Sequence, residues 1–328
     1  MENKPIYRFG VLALSLVLIA CSGGSTDAGC PEIDGREINV VATTPMIGEF
    51  VSQVGGENIN LTILMPPEAD PHSYEPAPQD AGTIADADLV FYTGLMYEQA
   101  PLVELLENSV CGAEALAEVG ESVFPIEFKE GGQDDHDDHD EEGHDGHEGH
   151  GHGAYDPHFW FDPNRVIYAA EFIESKLVEF DPSNAANYET AGDAYTTELS
   201  SLTRQVSQLI GSIPSQNRKL ITTHESLGYL EAKFGLEVLS TIIPDLDSSN
   251  EITPSQLVGV IDVIEDNNVK VIFIEAEAPS VYAETIVAET GIKAVEGLWV
   301  ETLKPGQTYS EFLIAAIELI VENLSNTD

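Results

Sequence analysis

The sequence predicts an α/β fold in which two lobes, each built on a parallel sheet, are joined by one long helix. In both halves of the chain, short runs rich in Val, Ile and Leu alternate with amphipathic stretches, an order typical of parallel sheets. Between the halves, apolar side chains recur at spacings of three and four from Tyr188 to Leu209, which predicts a continuous helix. A chain of 328 residues is long enough for two domains of ordinary size.

The first lobe is predicted to span residues 38–182. Its strands are expected at 38–42, 61–64 and 89–92, and its helices at 46–54, 79–87, 95–108 and 164–180. The second strand runs into a Pro-rich loop that reaches His72. Ligands of such sheets bind beyond the carboxyl ends of the strands, so His72 stands where a ligand is expected.

The linker, residues 183–212, holds the long helix, whose length of roughly 40 Å is enough to bridge two lobes. The second lobe, residues 213–328, repeats the α/β rhythm. Its strands are expected at 220–223, 238–239, 269–275 and 292–295, and its helices at 226–234, 253–267, 281–290 and 309–324. The first of these strands runs directly into His224.

Residues 1–20 predict an export signal. Lys4 and Arg8 precede an apolar stretch at 11–20 that is too short to span a bilayer as a stable helix. The stretch ends at Cys21 in a sequence that resembles a bacterial lipoprotein processing box, which implies cleavage before Cys21 and lipidation of its thiol. Residues 21–37 would then be a lipidated tether, and the chain would lie outside the cytoplasmic membrane, anchored to it. The alternative is a plain secretory signal with a chance Cys.

Two further cysteines, Cys30 and Cys111, remain. An oxidising compartment permits a disulfide between them. Such a bridge requires Cα atoms within about 7 Å, a distance that the sequence leaves open.

The chain is strongly acidic, with 58 acidic and 13 basic residues and a formal net charge of −45. This charge argues against nucleic acid, or an anionic membrane face, as a partner. It suits a protein that attracts cations, and it is equally typical of proteins from saline habitats.

Residues 131–154 form a predicted surface loop rich in His, Asp, Glu and Gly. No apolar residue lies between Gly131 and Ala154, so the segment has nothing to bury that would offset the entropy of ordering it. Imidazoles interleaved with carboxylates offer weak, exchangeable metal sites. The six histidines of the loop are His136, His139, His144, His147, His150 and His152. The alternative is a solvated acidic linker in which the histidines are incidental.

The other three histidines of the chain, His72, His158 and His224, are predicted to form one metal site. His72 and His158 each follow an Asp-Pro pair, and a neighbouring Pro restrains the backbone, so a ligand there loses less freedom on binding. Asp70 and Asp156 are positioned to accept a hydrogen bond from the second imidazole nitrogen.

Three imidazoles with one further ligand suit Zn²⁺, which prefers four ligands in a tetrahedron. Sites rich in imidazole favour Zn, Cu or Ni, whereas sites rich in carboxylate favour Mn or Mg. We expect Glu296, which follows the last predicted strand, or a water molecule as the fourth ligand. Glu275, at the end of a predicted buried strand, is expected to lie behind the site.

These motifs together resemble the metal-specific solute-binding proteins of bacterial ABC importers, zinc branch. The likeness extends from about residue 38 to residue 324. The segments that carry it are Asp70-Pro71-His72-Ser73-Tyr74-Glu75-Pro76, Asp156-Pro157-His158-Phe159-Trp160-Phe161-Asp162-Pro163, His224-Glu225-Ser226-Leu227-Gly228-Tyr229, Val271-Ile272-Phe273-Ile274-Glu275 and Lys304-Pro305-Gly306-Gln307-Thr308-Tyr309.

The resemblance implies a metal in the cleft between the lobes, with His72, His158 and His224 at the family's ligand positions. The manganese branch carries a carboxylate where His224 stands, and its fourth ligand is an Asp in the second lobe. Members of the zinc branch often carry a His-rich acidic loop between the first two ligands. The resemblance also implies an extracytoplasmic receptor, periplasmic or on the outer face of the cytoplasmic membrane, which is expected to be a monomer. It would deliver Zn²⁺ to an ABC permease driven by a cytoplasmic ATPase.

Three other functions fit part of the sequence. One is a manganese receptor, or a receptor for another divalent metal, in the same family. Another is a surface metal buffer or adhesin without transport. The third is a zinc enzyme with Glu225 or Glu275 as general base, but no His-Glu-x-x-His motif or Ser/His/Asp set supports it, so we expect no catalysis.

Overall fold

The computed structural model describes residues 33, 35–67, 69–128, 155–277 and 281–325. The predicted signal peptide, Cys21, Cys30 and the six histidines of the 131–154 loop lie outside these ranges. Across the part that is described, eight strands form two four-stranded sheets, and each sheet is flanked by helices. The predicted α/β fold with two parallel-sheet lobes is confirmed.

The first sheet has the strand order β2-β1-β3-β4, and all neighbouring strands are parallel. Its strands are β1 (Ile38–Ala42), β2 (Ile59–Ile63), β3 (Leu89–Tyr92) and β4 (Leu116–Glu118). The helices that connect them are α1 (Pro45–Gly55), α2 (Pro78–Ala85) and α3 (Ala100–Ser109). Both α1 and α3 have Pro near their first position, where a missing N–H costs nothing.

Two long helices lie between the sheets in the chain: α4 (Pro163–Phe180) and α5 (Ala185–Gly211). As predicted, α5 buries one stripe of side chains, which includes Tyr188, Leu199 and Val206. It packs against α4 and α1 of the first half and against the C-terminal helix of the second half. The main hydrophobic core is therefore shared, because it extends without a break from β1 to the C-terminal helix.

The second sheet repeats the topology of the first, with the order β6-β5-β7-β8 and parallel neighbours. Its strands are β5 (Lys219–Thr222), β6 (Glu237–Thr241), β7 (Val271–Glu275) and β8 (Lys293–Leu298). The remaining helices are α6 (Gly228–Phe234), α7 (Pro254–Asn267), α8 (Tyr282–Thr290) and α9 (Tyr309–Ser325). In each sheet the strand order reverses direction once, between β1 and β3 and between β5 and β7, and such switch points are where open α/β sheets bind ligands.

The first lobe differs from the prediction at one helix and at one additional strand. The helix expected from residue 95 begins at Ala100, because Gly94, Leu95 and Met96 have positive φ angles of 76°, 55° and 64° and cannot continue into a right-handed helix. The three-residue strand β4 was not predicted, since so short a run carries almost no periodicity. Of the helices described, none has the length and apolar character needed to cross a membrane.

Candidate metal centre

Three histidines and one glutamate converge at the carboxyl ends of the two sheets. His72, His158, His224 and Glu301 each offer one ligand atom, and these four atoms all lie within 4.8 Å of one another. Glu301 Oε1 lies 2.8 Å from His224 Nε2 and 3.3 Å from His158 Nε2. Its distance from His72 Nε2 is 3.5 Å. All four side chains are buried.

None of these four ligand atoms has a hydrogen-bond partner of acceptable geometry within the described ranges. They are more than half of the seven buried side-chain atoms without a partner in that part of the chain. Because a buried polar atom without a partner costs free energy, a common partner for these four neighbouring atoms would stabilise the site. A cation bound at their centre supplies one.

His72 lies in a single helical turn, Pro71–Ser73, after the loop that follows β2. Asp70 caps this turn, because its Oδ1 atom accepts a hydrogen bond from the backbone N–H of His72 at 3.0 Å. The prediction for Asp70 was a bond to the imidazole, whereas the bond that the structure gives goes to the backbone. The imidazole packs edge-on against the Tyr97 ring, with centroids 5.1 Å apart.

His158 lies just before α4 in the Asp-Pro-His segment. Asp156 Oδ1 lies 2.8 Å from both the backbone nitrogen and Nδ1 of His158. With Nδ1 donating to a carboxylate, the lone pair of Nε2 is left for a ligand. Asp156 is itself held from the second lobe, since the Tyr229 hydroxyl donates to its carbonyl oxygen at 2.8 Å.

His224 lies two residues after β5 and is held by the last residue of β7. Glu275 Oε1 accepts a hydrogen bond from the backbone N–H of His224 at 3.2 Å, and Glu275 Oε2 pairs with its Nδ1. The Ser226 hydroxyl also donates to Glu275 at 3.2 Å. Glu275 therefore lies behind His224, at the ring nitrogen that does not face Glu301.

Glu301 follows β8 by three residues and lies on irregular backbone. The Tyr97 hydroxyl donates to Glu301 Oε2 at 2.8 Å, so Oε1 is the oxygen that faces the imidazoles. The Glu277 carboxylate accepts from the backbone N–H of Glu301 at 3.1 Å. Burial and the nearby Glu301 carboxylate raise the pKa of Glu277 to about 7.

The carboxylates in and around the centre favour positive charge there. Burial lowers the pKa of the His158 imidazole, but the Glu301 and Asp156 carboxylates outweigh that effect and raise it to about 9. Burial also lowers the pKa of the His224 imidazole, but the carboxylates of Glu275 and Glu301 outweigh that effect and raise it well above the usual range. Burial also opposes ionisation of Glu301, yet the neighbouring imidazoles hold its pKa well below the ordinary value. Without a metal ion the centre therefore holds protons that a bound cation must displace.

Glu296, the fourth ligand expected from the sequence, is not at the centre. It is exposed within β8, which continues to Leu298 instead of ending at residue 295. Glu301 takes its place beside the histidines. Glu225, considered as a general base, accepts a hydrogen bond from the Thr241 hydroxyl at 3.0 Å. Cys111 is disulfide-bonded, but Cys30 lies outside the described ranges, so the pairing of these two stays a prediction.

A cavity of about 760 Å³ between the lobes reaches His72. Its walls come from both halves of the chain, with Glu104 and Glu107 on one side and Asp245 and Asp247 on the other. No Lys or Arg lies among the lining residues that the structure describes. The approach to the centre is thus acidic, which favours cations over anions.

The sequence at residues 40–323 matches the model of the family described as ZnuA, zinc-uptake complex component A, periplasmic. The chain is 30% identical over 324 residues to the high-affinity zinc uptake system protein ZnuA of Bacillus subtilis, covering 96% of both chains. It is 28% identical over 332 residues to the manganese ABC transporter substrate-binding lipoprotein PsaA of Streptococcus anginosus, covering 98% of this chain and 99% of that one. The fold is similar to that of the periplasmic zinc binding protein TroA from Treponema pallidum, with a TM-score of 0.76 at 22% identity, covering 88% of this chain and 100% of that one.

Proposed function

The chain belongs to the ZnuA family, and from that premise we propose that it captures Zn²⁺ with His72, His158, His224 and Glu301. At the level of the family, it is a metal-binding substrate receptor of an ABC importer, and members of this family are receptors rather than enzymes. The observation that carries the zinc proposal is the group of four buried ligand atoms without partners.

The distances between these ligand atoms support tetrahedral coordination of one ion. Four ligands at about 2.0–2.1 Å from Zn²⁺ lie about 3.3 Å from one another. The three distances from Glu301 Oε1 to the imidazole nitrogens, 2.8, 3.3 and 3.5 Å, scatter around that value. All four atoms lie within 4.8 Å of one another, so any pair further apart than about 3.3 Å has to close in when the ion binds.

The choice of zinc over manganese rests on the donor set. Three imidazole nitrogens and one carboxylate oxygen suit Zn²⁺, whereas Mn²⁺ favours oxygen donors. Manganese remains the second candidate because the relative from Streptococcus anginosus is named for manganese and aligns along almost the whole chain.

Receptors of ABC importers work with a membrane permease and an ATPase, and we propose these as the partners of this chain. The family is described as periplasmic and the relative from Streptococcus anginosus is named as a lipoprotein, which supports export. Lipidation of Cys21, anchoring to the membrane and a monomeric state are part of our proposal.

The proposal is tested by titrating the metal-free protein with Zn²⁺ in a calorimeter, with Mn²⁺ as competitor. We expect one tight Zn²⁺ site that excess Mn²⁺ does not displace. His158→Ala should lower the affinity of this site by orders of magnitude and leave the circular dichroism spectrum unchanged. The zinc proposal would be wrong if the site bound Mn²⁺ in preference to Zn²⁺, or if the titration showed no tight site.

A further inference from the structure

We propose that Glu277 is a positioning residue for Glu301, because its carboxylate fixes the backbone segment that carries the Glu301 side chain. The inference rests on the receptor function proposed above. Glu277 lies two residues beyond the end of β7, so it reaches the segment after β8 from the neighbouring strand of the same sheet.

Three successive backbone amides converge on one oxygen of Glu277. Its Oε1 atom accepts hydrogen bonds from the N–H groups of Val300 at 3.1 Å, Glu301 at 3.1 Å and Thr302 at 3.3 Å. Successive N–H groups that point to one side form a concave site for an anion. Bonds from such groups to a carboxylate are charge-assisted and stronger than neutral ones.

These amides need this acceptor because the strand ladder has already ended. The last bond between β7 and β8 in this direction runs from Ala276 N–H to the Leu298 carbonyl oxygen at 2.8 Å. Residues 300–302 are buried, and buried N–H groups without partners are costly. Glu277 therefore accepts the hydrogen bonds of the backbone N–H groups on one side of this segment. The other side is fixed from the first lobe, where Trp160 Nε1 donates to the Val300 carbonyl oxygen at 2.8 Å.

The end of β7 thus holds both metal donors of the second lobe. Glu275 orients His224 through its backbone N–H and Nδ1, and Glu277, two residues later, holds the amide of Glu301. Glu301 is fully buried, so its side chain has no alternative position in solvent. A shift of its backbone would therefore move Oε1 relative to the imidazoles. The carboxylate of Glu277 contributes through Glu301 and does not touch the ion.

The test uses Co²⁺ as a spectroscopic substitute for Zn²⁺ at pH 8. The variants are Glu277→Ala, which removes the acceptor, and Glu277→Gln, which keeps one accepting oxygen. We expect Glu277→Ala to weaken Co²⁺ and Zn²⁺ binding by about 10- to 100-fold, the usual effect of losing a partner behind a metal ligand. It should also change the intensity of the visible Co²⁺ bands, which report coordination geometry. Glu277→Gln should recover most of the affinity and the wild-type spectrum.

Asp181→Asn is the matched control. Asp181 is a buried carboxylate that accepts hydrogen bonds from Ser183, Asn184 and Tyr188, away from the metal centre. This variant should lower the Tm and leave the affinity and the Co²⁺ spectrum unchanged. The positioning role is overturned if Glu277→Ala binds Co²⁺ as the wild type does, or if it behaves as Asp181→Asn does, with a lower Tm and an unchanged spectrum.

Hydrogen exchange in the metal-free protein separates this inference from the receptor function. Glu277→Ala should speed exchange of the amides of residues 300–302 at least tenfold, with no metal present. If the wild type binds no metal tightly, the receptor proposal fails, and the exchange rates still decide whether Glu277 holds this segment. Unchanged exchange rates in Glu277→Ala would overturn the inference by themselves.

Discussion

The hydroxyl of Tyr97 donates a hydrogen bond to Glu301 Oε2 at 2.8 Å and thereby joins the first lobe to the second at the metal centre. The same hydroxyl lies 3.1 Å from the carbonyl oxygen of Glu301. Because one carboxylate oxygen is occupied in this way, the other is left to face the three imidazoles. A phenol group of the first lobe therefore fixes the orientation of a ligand carboxylate that belongs to the second lobe.

Tyr97→Phe should weaken Zn²⁺ binding by about tenfold, because the Glu301 carboxylate loses the bond that fixes its orientation. The phenyl ring keeps the contact with His72, so the fold should not change. The measurement is a Zn²⁺ titration in competition with a chromophoric chelator. Tyr188→Phe is the control, since its hydroxyl pairs with Asp181 at 2.9 Å, remote from the centre. Equal affinities for both variants would show that Tyr97 does not orient Glu301.

Glu301→Gln should lower the Zn²⁺ affinity by at least a hundredfold, because a neutral amide oxygen replaces the only anionic donor among the four. Glu296→Gln is the matched control, with the same substitution at an exposed position five residues earlier. It should leave the affinity unchanged. A competitive chelator titration of both variants distinguishes the two glutamates, and a loss confined to Glu296→Gln would contradict the geometry.

The three histidines could be predicted from the sequence because each lies in a short motif whose neighbouring residues indicate a ligand position. His72 and His158 follow Asp-Pro pairs, and His224 directly follows the predicted strand at 220–223. The partner of His158 was also predictable, since Asp156 is two residues away and its carboxylate reaches the backbone nitrogen and Nδ1 of His158.

Glu301 could not be predicted, because its place depends on where β8 ends and on contacts with distant residues. The apolar run at residues 292–295 indicated an earlier end of the strand, which made Glu296 the first glutamate after it. The partners of Glu301 are Tyr97, which is 204 residues away, and Glu277. The turn at Gly94–Met96 is a second case, since the carboxylates of Glu98 and Glu118 hold it through backbone amides.

The affinity for Zn²⁺ should rise with pH between 6.5 and 9. The folded-state pKa of His158, about 9, lies above its ordinary 6.5, so the ion must displace a proton in this window. Each displaced proton changes the apparent affinity by about tenfold per pH unit. The raised pKa of His224 adds in the same direction.

The stability of the metal-free protein should change in the opposite sense. Protonation of His158 stabilises the fold fully below pH 6.5, and this contribution, on the order of 3 kcal/mol, is lost as the pH rises through 9. The difference in Tm between the Zn²⁺-loaded and metal-free protein should therefore widen from pH 6.5 to 9. Scanning calorimetry of both forms at four pH values checks this, and a constant difference would contradict it.

His224→Asp should shift the preference from Zn²⁺ towards Mn²⁺. The substitution replaces one imidazole nitrogen with a carboxylate, and carboxylate-rich sites favour Mn²⁺. We expect the ratio of Zn²⁺ to Mn²⁺ affinity to fall at least tenfold, measured by competition between the two ions. His224→Asn is the control, because it also shortens the side chain but adds no charge. An unchanged ratio in His224→Asp would show that the donor at this position does not set the selectivity.

Deletion of residues 134–152 should remove several weak metal sites and spare the tight one. The six histidines of this segment are the proposed weak donors, whereas the four tight donors all lie in the described part of the chain. The deletion is compatible with the fold because Glu127 and Tyr155, which flank the segment, pair as an antiparallel bridge, so the shortened connection has only to join two adjacent residues. A shorter connection between adjacent ends carries a lower entropic cost of closure. A full-length variant with these six histidines replaced by Gln serves as the control for length. Calorimetric titration should give one tight Zn²⁺ site in both variants, and loss of that site in both would mean that a histidine of the segment is a tight ligand.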